Sequence, residues 1–442
     1  MSVQNPTVCI LTLGCKVNQY ESEAIAEAFE KKGFSVTLHE ADAMDVCVIN
    51  TCTVTAESDR KAGQLVRRMR AKSPDAYILI TGCFSQSAPQ KAAAIAGVDY
   101  VCGNTDKLSV VEEACRLLAE GKRASTPKIC VGDVMTAPFE PMEITRFERT
   151  RAYVKIEDGC ENRCSYCAIP GARGRVRSKP LCEVVKEVTG LVQGGCQEIV
   201  LTGIETASWG RDLGGVGLAD LLEAVDAIPH IGRIRLGSLD PSVMKQDFVD
   251  RIARLRHLTP HFHISMQSGS AAVLAAMKRK YNPDQAMAGI KRLRAAIPQL
   301  ELTTDFIVGF PGETEADFAA TMAFAREAEF LSMHVFAYSR REGTVAAALP
   351  CQIPTPIKKK RSAALIALGA ELRERRLTEA MRSPVREVLF ESYENGLAIG
   401  HTDSFLEVAA PAPAPLHSIL RQVKLTAVEQ GRLLAELRED TL

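Results

Sequence analysis

The chain has no net charge and no long apolar run, and its first six residues carry no basic side chain. Lys plus Arg equals Asp plus Glu, 54 of each, so no global field draws in a polyanion, and contact with nucleic acid would need a local patch. No stretch approaches the roughly 18 consecutive apolar residues of a membrane span; near the start, VCILTLGC runs for only eight. The segment MSVQNP before it carries no Lys or Arg, whereas a secretory leader needs a positive region and a longer apolar one. These absences argue against a lipid-modified Cys15 and lead to the expectation of a cytoplasmic protein with no membrane partner. Thiols stay reduced in the cytosol, so a disulfide framework is not expected. The 14 cysteines are left to metal, redox chemistry or ordinary burial.

Strand-and-helix periodicity is what the sequence offers instead. With 442 residues, 46% apolar and 24% charged, the chain has the composition of a folded protein of two or three domains. TVCILTLGC, DVCVINTC and AYILITGC are β-rich runs that end at Cys15, Cys52 and Cys83, each followed by a helical stretch. The separations of 37 and 31 residues suit βαβ units, and in an open parallel sheet the strand ends share one edge, where ligands bind. Residues 5–120 therefore read as an open parallel α/β domain. Residues 121–148, with several prolines and no period, read as a linker or extended crossover.

Six further strand candidates follow, AYVKIEDG, QEIVLTG, RIRLGS, HFHISMQS, LTTDFIVG and MHVFAYS, alternating with amphipathic segments. That series predicts a partial (β/α)6 barrel over 149–380, with its chemistry at the strands' C-terminal ends. Residues 381–442 hold four short strand-like runs, REVLFES, GLAIGHT, FLEVAA and QVKLTAV, which predict a small all-β module; the PAPAP run reads as a stiff connection. The fold class is thus α/β, with a small all-β module at the end.

The most informative stretch is GCENRCSYCAIPGARGRVRS, where Cys160, Cys164 and Cys167 have the spacing C-x3-C-x2-C after the first barrel strand. Three thiolates on one compact loop can hold three irons of a four-iron four-sulfur cluster and leave the fourth open to a ligand. Zinc ordinarily takes four protein ligands, and no fourth Cys or His lies nearby; a redox pair would leave Cys160 unexplained.

This loop, with Tyr166 before the last cysteine, resembles that of the radical S-adenosylmethionine superfamily. LGCKVNQ, NTCTVT and TGCFSQ narrow the resemblance to the methylthiotransferases, as do IVLTGIETASWG, RLGSLDP, HISMQSGS, MKRKY, TDFIVGFPGETEADF and FAYSRREGT. The resemblance implies two 4Fe-4S clusters, one on Cys160, Cys164 and Cys167 and one on Cys15, Cys52 and Cys83, together with S-adenosyl-L-methionine. It implies a TRAM-like terminal barrel, a tRNA anticodon stem-loop as substrate, an electron donor protein and a sulfur source. The arginine-rich loop is most similar to the branch that converts threonylcarbamoyladenosine at tRNA position 37 to its 2-methylthio derivative. Other branches modify isopentenyladenosine of tRNA or a ribosomal protein aspartate, and a non-catalytic iron-sulfur protein that binds RNA or senses redox state is an alternative of another class.

Among further expectations, Gly203, Glu205, Ser238 and Gln267, near the strand ends, are candidate cofactor contacts. Arg173, Arg175 and Arg177, in a run from Arg163 to Lys179 without an acidic residue, are candidate RNA contacts. Gly309, Pro311 and Gly312 shape a turn. Cys9, Cys47, Cys102, Cys115, Cys130, Cys182, Cys196 and Cys351 lack partners at ligand spacing and read as ordinary thiols.

Overall fold

The computed structural model describes residues 5–53 and 56–438. Strands β1 (Thr7–Thr12), β2 (Ser35–Thr37), β3 (Val46–Thr51), β4 (Tyr77–Gly82), β5 (Tyr100–Cys102) and β6 (Lys128–Cys130) form one parallel sheet in the order β2-β1-β3-β4-β5-β6. Both β3 and β4 are buried at every position, because helices cover both faces. Val8, Ile10, Val46, Val48 and Leu79 pack on α1 (Lys16–Lys31) and α5 (Ser109–Glu120). The alternate residues, Leu11, Ile49, Ile78 and Ile80, pack on α2 (Ala56–Lys72). This two-sided burial gives these strands continuous apolar runs rather than an alternating pattern. Cys9 and Cys47 lie within the α2-side core, as expected of buried thiols. The sixth strand comes from the segment expected as a linker: Lys128–Cys130 is too short and too exposed to show a period, and it is ordered by pairing with β5.

Strands β7 (Ala152–Lys155), β10 (Glu198–Thr202), β11 (Arg233–Leu236), β12 (Ser238–Leu239), β13 (His261–Gln267), β14 (Glu301–Val308) and β15 (Ser332–Ala337) make two parallel sheets, β11-β10-β7 and β12-β13-β14-β15. The expected strand RIRLGS is divided between them at Gly237, whose N–H still donates to Leu201 O at 2.8 Å. The six predicted strands thus form an open barrel wall. A short antiparallel ribbon, β8 (Glu157–Asp158) with β9 (Arg177–Ser178), stands beside it. Helices α7 (Leu181–Gln193), α8 (Leu218–Asp226), α9 (Gln246–Ile252), α11 (Pro283–Ala296), α12 (Glu315–Ala328) and α13 (Thr355–Ala380) accompany the wall. Local signals fix their starts: Asn282 and Gln285 form a capping box on α11, and Thr314 and Asp317 one on α12.

Val385–Glu394, Leu397–Thr402, Glu407–Pro411, Leu420–Glu429 and Arg432–Leu437 (β16 to β20) close a five-stranded barrel in the order β16-β17-β18-β20-β19. The fifth strand, RLLAEL, escaped the sequence reading because its Ala, Leu and Glu favour helix. A tight turn through Gln430 (φ 49°) and Gly431 (φ 73°) pairs it with β19. Pro411 ends β18, so the proline run begins within a strand.

This small barrel docks under the N-terminal ends of the central strands. Arg151 and Arg235 each bond Glu198 at 2.6 Å, and Arg151 also bonds Glu391 at 2.8 Å. Phe405 stacks on His261 with ring centres 4.7 Å apart and lies 4.9 Å beneath the Arg235 guanidinium. Among the described residues, no helix is long and apolar enough to cross a membrane.

Candidate functional site

The three loop cysteines follow β8 and meet one cavity. Gly159 (φ 88°) makes the turn before Cys160; a Cβ there would lie 1.8 Å from Arg175 O, so only glycine fits. Cys160 N donates to Gly174 O at 3.0 Å and Cys167 N to Cys164 O at 3.0 Å. Arg279, paired with Asp240 at 2.6 Å, donates to Cys164 Sγ at 3.2 Å. Burial pushes the free thiols up, Cys160 to about 12 and Cys167 to about 11. Iron would displace those protons and supply the positive charge that burial otherwise denies a thiolate.

The cavity, of about 370 Å³, is lined by all three cysteines with Glu205, Gln267, Asp305, Phe336 and Tyr338 among others. It is built for a polar occupant. Asn162 Oδ1 is buried at its wall without a hydrogen-bond partner, and such an orphan calls for a partner from the cavity. Gln267 is held at φ 67° beyond a register shift in β13, a strained backbone of the kind found at binding sites. The Glu205 carboxyl, pushed up to about 7 by burial and by Asp240, accepts from Asn162 Nδ2 at 2.7 Å. These residues fit a cluster with a small polar cofactor on its open iron.

The other two expected cofactor contacts do not line this cavity. Gly203 packs on Glu157: a Cβ there would lie 2.7 Å from Glu157 Oε2. Ser238 is exposed, and its carbonyl accepts from Thr206 Oγ1 at 2.6 Å. Sequence reading missed Asn162, Arg279, Asp305, Phe336 and Tyr338. Phe336 and Tyr338 lie at the end of β15, within FAYS, where the barrel rule could have found them, whereas Asp305 sits in the middle of β14.

The N-terminal cysteines converge from neighbouring strands β1, β3 and β4. Cys15 caps α1, Cys52 follows β3, and Cys83 opens α3 (Cys83–Ser87). Two glycines let these turns nest. A Cβ on Gly14 (φ 128°) would come within 3.0 Å of Cys52 Cβ, and one on Gly82 (φ 101°) within 2.4 Å of Thr51 O. The Asn18 amide ties the turns together, donating to Thr51 O at 2.9 Å and Asn50 Oδ1 at 3.1 Å, while its Oδ1 accepts from Cys15 Sγ at 3.3 Å. FAYSRREGT reaches this edge as well, since Arg341 pairs with Asp59 at 2.8 Å and bonds the Thr53 hydroxyl.

Arg173 joins the two cysteine sites and corrects an expectation. It ends α6 (Ile169–Arg173), which starts two residues after Cys167, and it is 0% exposed. Its Nε donates to Cys83 Sγ at 3.1 Å and its Nη2 to Asn18 Oδ1 at 3.0 Å. Its Nη1 pairs with Glu21 at 2.5 Å and Asp158 at 3.2 Å. Lys107 and Lys155 also pair with Glu21, at 2.9 and 2.8 Å. Burial opposes ionisation of Glu21, but these three cations overcome it and hold its carboxyl well below the usual range. Lys107, Lys155 and Arg173 thus gather around Glu21 and Asp158, and the Arg173 guanidinium reaches from that cluster to Cys83. Arg173 has no donor free for RNA. Arg177 is also buried, bonded to Pro138 O and Arg173 O at 3.2 and 2.8 Å, whereas Arg175 and Arg163 are exposed.

On neighbouring strands of the barrel wall, His263 Nε2 lies 3.2 Å and His334 Nδ1 3.0 Å from the two oxygens of Asp305, which lines the cavity.

The sequence profile of the Radical SAM superfamily matches residues 154–325, and that of the Uncharacterized protein family UPF0004 matches residues 7–103. Threonylcarbamoyladenosine tRNA methylthiotransferase MtaB of Bacillus subtilis (strain 168) is 38% identical over 426 residues, covering 95% of this chain and 93% of its own. A tRNA-2-methylthio-N(6)-dimethylallyladenosine synthase of Moorella thermoacetica is 34% identical, covering 98% of each chain. Among solved structures, the radical S-adenosylmethionine methyltransferase TsrM from Kitasatospora setae, with cobalamin and a [4Fe-4S] cluster bound, shares the fold: TM-score 0.56 at 17% identity, covering 78% of this chain and 77% of that one. Both cysteine triplets fall inside the matched regions, one in each. The chain belongs to the radical S-adenosylmethionine methylthiotransferase family.

Proposed function

We propose that the protein replaces the C2 hydrogen of threonylcarbamoyladenosine, at position 37 of tRNA, with a methylthio group. The observation that carries this reading is that Arg173, ending the helix that follows the Cys160–Cys167 loop, donates to Cys83 of the other cysteine triplet. A C2–H bond is not acidic enough for a side-chain base, so the chemistry would come from the bound cofactors, which would supply a radical able to activate C2 and a sulfur able to carry the methyl group. Cys160, Cys164 and Cys167 would hold one cluster and Cys15, Cys52 and Cys83 the other. Glu205, Gln267 and Asn162 orient the cofactor, and Arg279 steadies Cys164.

In this reading residues 5–120 carry sulfur, 149–380 generate the radical, 381–442 form a TRAM-like base, and exposed Arg163 and Arg175 meet the anticodon stem-loop backbone. An electron donor protein and a sulfur source complete the cycle in the cytoplasm. The test is anaerobic reconstitution followed by nucleoside mass spectrometry of tRNA. The expected product is 2-methylthio-threonylcarbamoyladenosine. Methylthiolation of isopentenyladenosine instead would assign the chain to the branch of the Moorella relative.

A further inference from the structure

Three features mark the deep end of the cavity that holds Cys160, Cys164 and Cys167. First, Asp305 and His334 are register partners on β14 and β15, two residues below Ile307 and Phe336, which are likewise partners. Strand alternation puts all four on one face, and Asp305, Ile307 and Phe336 line the cavity of Cys160, Cys164 and Cys167. His334 therefore sits at its deep edge, about 6–7 Å along the strand from Phe336. Second, this inward face is not filled. The Phe336 residue is 51% exposed and the His334 side chain 62%, in an interior that a closed barrel would pack with side chains.

Third, the positive groups here differ in whether they are spent. Arg151 and Arg235 are both paired with Glu198. Lys16, exposed and next to Cys15, makes no ion pair among the described residues, and it is one of the charges acting on His334. The His334 Nδ1 bond to Asp305 leaves Nε2 directed away from the carboxylate, and His263 braces the other Asp305 oxygen while its own Nδ1 meets Thr303 Oγ1 at 3.0 Å.

We propose that His334 and Lys16 form a carboxylate-binding subsite for the amino-acid side chain of the substrate nucleoside, with the base against Phe336. The inference rests on the reading of the substrate as threonylcarbamoyladenosine. That nucleoside joins threonine through its amine and so presents a free carboxylate, which an isopentenyl group lacks. The free His334 Nε2 and the unpaired Lys16 ammonium, with an exposed ring for the base, would select the anionic side chain. A site built around charged donors rejects a ligand without the acceptor, because its own donors are then left desolvated.

The test uses the reconstituted holoenzyme and two anticodon stem-loop RNAs, one with threonylcarbamoyladenosine and one with its carboxyl methyl ester. The wild-type protein is expected to favour the acid over the ester by about 10- to 100-fold in kcat/KM. In His334→Gln and Lys16→Gln the preference shrinks to within about threefold through a higher KM for the acid, with KM for the ester unchanged. About eight irons per chain, four per cluster, certify each variant; His334→Gln alone decides the matter if Lys16→Gln loses iron.

Equal use of acid and ester by the wild type overturns the proposal, as does a full preference retained in His334→Gln. A stoichiometric non-iron metal lost in His334→Gln also overturns it, since His263, Asp305 and His334 would then be a metal site. If the wild type modifies neither RNA, the functional reading itself fails; if it modifies both alike, only this inference does.

Discussion

The two cysteine triplets have the same ligand count and opposite constructions. Cys160, Cys164 and Cys167 come from one loop of eight residues, closed by local bonds such as Cys167 N to Cys164 O at 3.0 Å. Cys15, Cys52 and Cys83 are spread over 69 residues and meet only because β1, β3 and β4 lie side by side. The local site survives as long as its loop does. The assembled site depends on the sheet, on Gly14 and Gly82, and on Asn18 and Arg173, which tie strand ends from separate βα units. Arg173 is what makes the comparison more than formal, because the loop carrying one triplet sends a buried cation to the thiol of the other.

The largest effects come from removing a ligand on either side. Cys164→Ala is expected to abolish both reductive cleavage of S-adenosylmethionine and methylthiolation, leaving about four irons per chain. Cys52→Ala is expected to lose the same amount of iron and all methylthiolated product while still cleaving S-adenosylmethionine. Iron analysis with 5′-deoxyadenosine quantification separates the two, and loss of cleavage in both would break the distinction between a radical site and a sulfur site.

Next comes the bridge. Arg173→Met leaves Glu21 and Asp158 short of a buried partner and should cost about 3–5 kcal/mol in a chemical denaturation series. Arg175→Met, on the same loop but exposed, should stay within about 0.5 kcal/mol of wild type. Its tRNA affinity should fall instead, with a salt slope shallower by about one.

Gly82→Ala perturbs only the turns that carry the remote triplet. It drives a Cβ toward Thr51 O at a positive φ, and a cost of about 1–3 kcal/mol is expected. Partial loss of iron from the N-terminal triplet, read by iron analysis, should accompany it while S-adenosylmethionine cleavage continues.

The same contrast explains how much could be read from the sequence. The loop triplet was legible outright, since its ligands share one short motif. The remote triplet was legible because each cysteine ends a strong apolar strand and parallel sheets align such ends. The six strands of the central wall showed themselves by length and alternation with helices. Strand β6 did not, being three exposed residues, and neither did RLLAEL, whose helical composition is overruled by its hairpin.

Side-chain direction was the harder matter. Arg173 and Arg175 look alike in GARGRVRS, but a helix end turns one into a buried ion cluster and leaves the other in solvent. Gly203 and Ser238 sit near strand ends, as cofactor contacts do, yet one is spent on close packing with Glu157 and the other faces outward. Asp305, Phe336 and His334 were hidden in strands that read as wall, because an open barrel exposes inward positions that a closed one would fill.

The central claim is that both cysteine sites act on one modified adenosine. It is tested most directly by nucleoside mass spectrometry of tRNA bearing threonylcarbamoyladenosine, incubated anaerobically with the reconstituted protein, S-adenosylmethionine, a reductant and sulfide. The account predicts a product heavier by one methylthio group in place of one hydrogen, at C2, absent with either Cys52→Ala or Cys164→Ala. Formation of that product by the Cys52→Ala protein at the wild-type rate would contradict it.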